Sequence, residues 1–189
     1  MKIRPHVVYL CLACLLFSIF SVACDNSKDS TVSKAGNTEL EKNVGGLLVD
    51  FPATPIFEAV ELPSGASSII SAANSYTTTH KGVKIGVTHA VYSSKPADLQ
   101  ASVDGAVSMV KSLPRVSKVS QKVESMMIDE LNGSKVMIEY TDSGVGIKQH
   151  SILLTRGKEL WSIQIVGSSS NQDFIDIAES VFSSLRLPQ

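Results

Sequence analysis

The chain has few cysteines, and their positions exclude a disulfide framework. Cys11 and Cys14 lie in an apolar stretch near the N-terminus, and the third cysteine is Cys24. No cysteine follows Cys24, so the rest of the chain must be held together by a hydrophobic core rather than by intrachain disulfides. The later histidines, His80, His89 and His150, share metal-ligand spacing neither with one another nor with a cysteine, and no metal or other cofactor is therefore predicted.

The sequence also lacks the common catalytic motifs, namely the G-x-S-x-G elbow, the phosphate-binding P-loop and H-E-x-x-H. Asp142-Ser143-Gly144 is similar to the aspartic protease signature, but its flanking residues differ and no second copy exists. We interpret it as a hairpin turn. Ser168-Ser169-Ser170 is interpreted as a loop that leads into a helix. No catalytic residue is predicted, and the chain is expected not to be an enzyme.

The chain also has no large excess of charge of either sign. The chain has 17 basic and 18 acidic residues, and no two basic residues are adjacent. A protein that binds nucleic acid usually concentrates Lys and Arg on one face, so a nucleic-acid partner is not predicted.

The N-terminus has the three parts of an export signal. Lys2 and Arg4 form a basic start, an apolar run extends from Val7 to Phe20, and Ser21-Val22-Ala23 precedes Cys24. A membrane-spanning helix needs about 20 apolar residues, and this run is shorter. Residues 1–23 are therefore predicted to be a signal peptide that is removed.

The position of Cys24 resembles the lipobox of bacterial lipoproteins, in which the new N-terminal cysteine is lipidated. Ser21 departs from the usual Leu, and ordinary signal peptidase would also cut after Ala23, so the two interpretations differ only in the fate of Cys24. We favour lipidation at Cys24, because removal of Cys11 and Cys14 leaves an exported protein with a lone thiol at its first position, which is easier to explain if that thiol is capped. The expected location is the periplasmic face of the cell envelope; Asp25 resembles an inner-membrane retention signal, but the choice of membrane stays open.

Residues 24–44 are polar and show no hydrophobic periodicity, which predicts a lipidated N-terminus followed by a flexible tether. Residues 45–189 have the length and composition of a single domain. Within it, alternation at Val83–Val91 indicates a strand, and a helical period follows from Pro96 to Leu113. Asn132-Gly133 is typical of a hairpin turn.

The last predicted element is an amphipathic helix. Ser170 and Asp173 resemble a capping box, and the apolar residues that follow Phe174 lie on one stripe. The order of elements predicts an α+β fold, with a mainly antiparallel sheet of about 6–8 strands covered by two helices. Trp161 is expected to lie in the core, His89 to be partly buried and hydrogen-bonded, and one of Met126 and Met127 to be exposed.

This order resembles the PsbP/Mog-like fold, including DcrB-type bacterial lipoproteins. The resemblance rests on Leu48–Pro55, on Glu159–Ile163 with Val166-Gly167, and on the ending from Phe174 to Leu187. It implies an α/β/α sandwich and a protein that binds or stabilises a protein partner at the membrane surface. A module that binds a small ligand or lipid in a cleft between sheet and helix is the alternative. A hydrolase, with catalytic residues that only the fold brings together, is a weaker alternative.

Overall fold

The computed structural model describes residues 40–60, 62, 66 and 68–189. The predicted signal peptide, Cys24 and most of the predicted tether lie outside these residues. The described part contains nine strands and two helices. The strands are β1 (Glu41–Val44), β2 (Leu47–Asp50), β3 (Ile56–Ala59), β4 (Ile70–His80), β5 (Val83–Tyr92), β6 (Val116–Ile128), β7 (Leu131–Asp142), β8 (Val145–Arg156) and β9 (Glu159–Ser168); the helices are α1 (Leu99–Ser112) and α2 (Phe174–Ser183).

Seven strands form one antiparallel sheet in the order β3-β4-β5-β9-β8-β7-β6, and β1 and β2 form a separate two-stranded hairpin. Four neighbouring pairs, β4–β5, β6–β7, β7–β8 and β8–β9, are joined by two-residue hairpin turns, as expected of antiparallel strands. The C-terminal segment is attached to the β1–β2 hairpin, because Leu48 bridges Arg186 and the Arg186 guanidinium pairs with Glu41 and Asp50. The predicted α+β fold is confirmed.

The first face of the sheet, the α2 face, is covered by α2 and by the β1–β2 hairpin. One continuous apolar cluster fills this interface, and it includes Val87, Ile152, Trp161, Ile163 and Phe174. A sheet exposes alternate side chains on opposite faces, so the odd-numbered residues of β5 and β9 and the even-numbered residues of β8 all point to this side.

The second face, the α1 face, is less uniformly apolar. Helix α1 places Val103, Val107 and Val110 on Val136 and its neighbours in β7 and β8. A separate cluster of Ala66, Ile70, Ala90 and Leu160 lies at the other end of this face. The two helices therefore lie on opposite sides of the sheet, and the core of the α1 face is divided into two parts.

The prediction that the tether extends to Val44 is wrong for its last four residues, Glu41–Val44. These four residues form β1, which pairs with β2 around the Gly45-Gly46 turn. The sequence EKNV has no apolar alternation, and the strand is held by contacts with distant residues: the Val44 side chain is buried, and the Val44 carbonyl accepts a hydrogen bond from the Trp161 indole.

The predicted hairpin turn at Asn132-Gly133 is also wrong. The turn lies three residues earlier, at Asp129-Glu130, and Asp129 has a φ of 51°. Gly133 lies inside β7, where an added Cβ would approach Leu154 Cδ2 at 2.5 Å and the Leu153 carbonyl oxygen at 2.9 Å. The glycine is thus required for close packing rather than for a turn.

The capping box at Ser170 and Asp173 does not form. Asp173 is the N-cap of α2, but its side chain caps no backbone amide of the helix. The Asp173 carboxylate instead pairs with Lys81, at 2.9 Å, and the Asp173 amide donates to the side chain of Asn171. The α2 helix is therefore stabilised chiefly by its buried apolar stripe, as its spacing predicted.

Candidate functional site

The most accessible feature of the fold is the outer edge of β6, the last strand of the sheet. A register shift between Ser117 and Ser120 interrupts the start of β6, where Lys118 has a positive φ. From Ser120 to Ile128 the pairing with β7 is regular. Among the described residues, the backbone hydrogen bonds recorded outside the strand ladders involve none of residues 117–128. This stretch therefore offers unpaired backbone groups to another strand.

Two apolar side chains project from this edge on the α1 face. Val123 is 43% exposed and Met127 is 66% exposed. Met126 points to the opposite face and packs against the core there, which confirms the prediction that only one of the two methionines is exposed. We call the stretch from Ser120 to Ile128, with Val123 and Met127, the β6 edge surface.

An open groove of about 600 Å³ adjoins the β6 edge surface. Its walls come from the first turn of α1, with Leu99 and Gln100, and from the facing ends of β6 and β7, with Met126, Met127 and Ser134 among the lining residues. Among the described residues, no charged one lines this groove. The groove can therefore accept an uncharged, partly apolar side chain.

A cluster of ionisable residues lies elsewhere, beneath the β1–β2 hairpin. His89 stacks on Trp161 with ring centroids 5.0 Å apart, and its Nε2 lies 3.2 Å from Glu159 Oε1. Arg156 pairs with the other oxygen of Glu159 at 3.1 Å. His89 is buried, more completely than predicted, and the backbone of Gly45 lies directly against its imidazole ring. The arrangement places the hairpin against His89, and both Glu159 carboxylate oxygens are engaged, one by His89 and one by Arg156.

Burial lowers the pKa of His89 below its ordinary value of 6.5, although Glu159 acts in the opposite direction. Burial also lowers the pKa of His150, whose ring meets that of Phe174 edge-on, and Lys135 and Lys148 add to this effect. In both cases the folded environment favours the neutral imidazole relative to the unfolded chain.

The free energy of unfolding should consequently fall with acidification below pH 6.5. Between each folded pKa and 6.5 the unfolded chain binds more protons, so stability rises with pH in that window and is fully present above it. Each histidine can contribute at most about 1.4 kcal/mol per pH unit. Urea unfolding at about pH 7.5 and about pH 5.5 measures the effect, and His89→Gln with His150→Gln should reduce it. An unchanged difference in the double variant would contradict this assignment.

The other motifs that the sequence singled out have structural positions. Asp142-Ser143-Gly144 spans the β7–β8 turn, with positive φ at Ser143 and Gly144, so its interpretation as a turn is confirmed. The hydroxyls of Ser168 and Ser170 bond to each other in the loop before α2. Within the described residues, no three His, Cys, Asp or Glu side chains are grouped so that they could hold a metal ion.

The structure does not bring His80, His89 and His150 together: His80 ends β4, whereas His89 and His150 contact different parts of the α2-face core. The sequence analysis did not identify the groove, because Leu99 and Ser134 become neighbours only through the packing of α1. The exposed Met127 was the one local signal. In the part of the chain that the structure describes, no helix has the length and apolar character needed to span a membrane.

No family model matches the chain, and a search of curated proteins found no match either. Solved structures do match. The solution structure of cyanobacterial PsbP (CyanoP) from Synechocystis sp. PCC 6803 is 12% identical and covers 89% of this chain and 99% of that chain, with a TM-score of 0.55. The chain thus has a PsbP-like α+β fold, which confirms this part of the resemblance seen in the sequence.

Two other solved structures are similar over much of the chain. LpqN, involved in cell envelope biogenesis of Mycobacterium tuberculosis, is 11% identical, with a TM-score of 0.46 and coverage of 75% of this chain and 84% of that chain. The immunity protein TplEi of Pseudomonas aeruginosa is 12% identical, with a TM-score of 0.45 and coverage of 76% and 54%. At these identities the likeness concerns the fold alone.

Proposed function

We propose that this chain is a non-enzymatic, lipid-anchored protein of the bacterial cell envelope that binds and stabilises a protein partner at the membrane surface. The anchor is Cys24, exposed at the N-terminus by removal of residues 1–23 and then acylated. The polar residues that follow would hold the domain away from the bilayer. This part of the proposal rests on the sequence, since these residues lie outside those that the structure describes.

The observation that supports a protein partner is the β6 edge surface. An unpaired edge strand binds an extended segment by adding a strand to the sheet, and side chains at alternate positions provide specificity. Val123 and Met127 are four positions apart on one face of β6, so they lie on the same side of such a pair. The proposed partner therefore contributes an extended segment with apolar residues at alternate positions, and the groove beside Leu99 receives one of its side chains.

The other edge of the sheet is less suited to this role. Its last strand, β3, has only four residues, and Phe57 in that strand packs edge-on against Tyr76 at a centroid distance of 5.3 Å. A partner strand would find few backbone groups there. The long regular stretch of β6 distinguishes the two edges and leads us to place the contact at β6.

Photo-cross-linking in intact membranes tests this proposal. With a photo-reactive residue in place of Met127, we expect one reproducible protein adduct that is absent when the same residue replaces Val145, which is 52% exposed in another hairpin. Adding Val123→Lys should reduce the Met127 adduct about tenfold, because the ammonium group would lose its water in the contact. Val145→Lys is the matched control and should leave it unchanged.

A Cys24→Ser arm tests the anchor in the same experiment. We expect this variant to lose the acyl mass at its N-terminus and to leave the membrane fraction, with the adduct lost as well. Equal adducts from the two cross-linking positions, or none, would overturn the placement of the partner. A membrane-bound Cys24→Ser protein would overturn the anchor independently of the partner.

A further inference from the structure

We propose that the partner of the β6 edge surface is a second copy of this chain, bound through an antiparallel pair of β6 strands with its two-fold axis at Val123. This inference rests on the proposed function, because it names the partner at the same surface. Three features support it: the direction of the backbone groups of β6, the order of charges along β6, and the side of the sheet on which the chain enters the domain.

The outward backbone groups of β6 belong to its odd-numbered residues. A two-residue turn joins Ile128 to Leu131, so these two residues form a hydrogen-bonded pair. Such pairs alternate along an antiparallel ladder, and the even-numbered residues of the regular stretch therefore bond to β7. About an axis at Val123, the two copies of this residue exchange both backbone hydrogen bonds, and Gln121 of each copy does so with Ser125 of the other.

The charges on the α2 face of β6 match in this register. Lys122 and Glu124 flank Val123 in the sequence, and their side chains are 70% and 44% exposed. About an axis at Val123, each Lys122 lies directly opposite Glu124 of the other copy. Two cross-strand ion pairs thus join the contact of 2.6 Å within each chain. The four groups form a square in which every neighbour carries the opposite charge.

Neighbouring registers are less favourable. An axis one residue away places Lys122 opposite Lys122 or Glu124 opposite Glu124, and like charges directly opposite each other destabilise a sheet. An axis at Ser125 leaves both charges opposite apolar side chains. An axis at Gln121 takes the pair through Lys118, where a register shift and a positive φ interrupt β6. Among these registers, the axis at Val123 matches opposite charges within the regular stretch.

The α1 face of the same pair places apolar side chains together. Val123 meets Val123 of the second copy on the axis, and Met127 lies beside Val119 of that copy. Val119 packs against the apolar cluster under α1, so Met127 extends that cluster across the boundary. The open groove is lined by Ser125 and Met127 and therefore faces the second copy's Gln121, an uncharged side chain with an apolar stem.

The chain enters both domains on the same side of such a dimer. Side chains opposite each other in a ladder point to one face, so the two-fold axis is perpendicular to the sheet and the two α2 faces lie side by side. The described main part of the chain begins at Leu40, next to β1, which lies on the α2 face. Both chains can therefore be anchored at Cys24 in one membrane. Shared anchoring raises the local concentration, which favours a contact made by one strand from each copy.

Disulfide formation between copies tests this inference on the full acylated chain in membranes. Cα atoms of a hydrogen-bonded pair are about 5.5 Å apart, within the span of about 4.4–6.8 Å that a disulfide bridges. Val123→Cys should therefore give a dimer of twice the mass on mild oxidation. Val145→Cys, exposed in the β7–β8 hairpin, is the matched control and should stay monomeric. The original chain reports any disulfide that Cys24 forms.

Charge variants in the Val123→Cys chain identify the partner. Lys122→Glu should lower the yield of dimer about tenfold, because the new carboxylate faces Glu124 of the other copy, and Glu124→Lys should do the same. The two changes combined restore opposite charges across the axis and should restore the dimer. A foreign partner, whose charges stay fixed, gives no such rescue. Failure of Val123→Cys to dimerise, or of the combined variant to recover, would overturn the second copy as partner.

The photo-cross-link at Met127 separates this inference from the proposed function. An adduct of twice the mass of the mature chain supports both. An adduct with a different protein supports the proposed function and overturns the second copy, whereas the absence of any adduct overturns both.

Discussion

Replacing Trp161 with alanine is expected to lower the free energy of unfolding by about 3–5 kcal/mol, the range for large-to-small changes of buried aromatic residues. Trp161 is completely buried in the α2-face core, between β5 and the β1–β2 hairpin. Its indole N–H also donates to the Val44 carbonyl oxygen over 2.7 Å. Alanine would therefore leave a cavity and remove the hydrogen bond that fixes the hairpin.

Trp161→Phe separates these two contributions. Phenylalanine retains much of the apolar volume but leaves the Val44 carbonyl without its donor, so we expect a smaller loss of about 1–3 kcal/mol. Urea unfolding followed by circular dichroism is the measurement, because Trp161 is the sole tryptophan and fluorescence would be lost with it.

Phe57→Ala provides the control, since Phe57 is 53% exposed. This change should cost about 1 kcal/mol or less, because little apolar surface returns to water. A Trp161→Ala protein as stable as Phe57→Ala would show that the hairpin does not depend on the indole.

Gly45→Ala is expected to be the second severe change. Gly45 turns between β1 and β2 with a φ of 62°, where an L-residue is strained, and its added Cβ would lie 2.1 Å from His89 Nδ1. The ring cannot retreat easily, because it stacks on Trp161 and is held by Glu159. Backbone strain should lower the free energy of unfolding by about 1 kcal/mol, and steric overlap should lower it by about a further 1–3 kcal/mol.

Gly157→Ala is a closely matched control for Gly45→Ala. Gly157 has a φ of 58° in the β8–β9 turn, but nothing lies within 4 Å of an added Cβ. The control should therefore show the backbone strain of about 1 kcal/mol without the overlap. Thermal and urea unfolding of both variants measure the difference, and equal losses would mean that the hairpin moves away from His89 at no cost.

Local patterns predicted much of the fold. The alternation in Val83–Val91 and the stripe of α2 predict a strand and a helix because each depends on one face of one element being apolar. The turn at Asp142-Ser143-Gly144 also lies where the sequence predicts it. In contrast, Asn132-Gly133 resembles a turn by residue type, yet Gly133 is required by the approach of Leu154 from a neighbouring strand.

The candidate sites could be predicted only in part. An exposed methionine at the end of β6 was foreseen, since two neighbours in a strand point to opposite faces. The groove beside it required the position of α1. The burial of Gln149 and Gln164 gave no distinctive signal: serine, threonine and glutamine in alternation with apolar residues are ordinarily typical of a solvent-facing strand.

The sequence by itself determined the class of the fold, the type and approximate bounds of most elements, and the absence of an intrachain disulfide after Cys24. Only the tertiary structure decided that β6 lies at an edge, that Glu41–Val44 is a strand and that Gln149 and Gln164 are buried. The two groups differ for a physical reason. The hydrophobic period of a segment shows which face of a helix or strand is buried, and this depends only on residues that are close in the chain. Strand order and the burial of polar residues depend instead on partners that are distant in the chain.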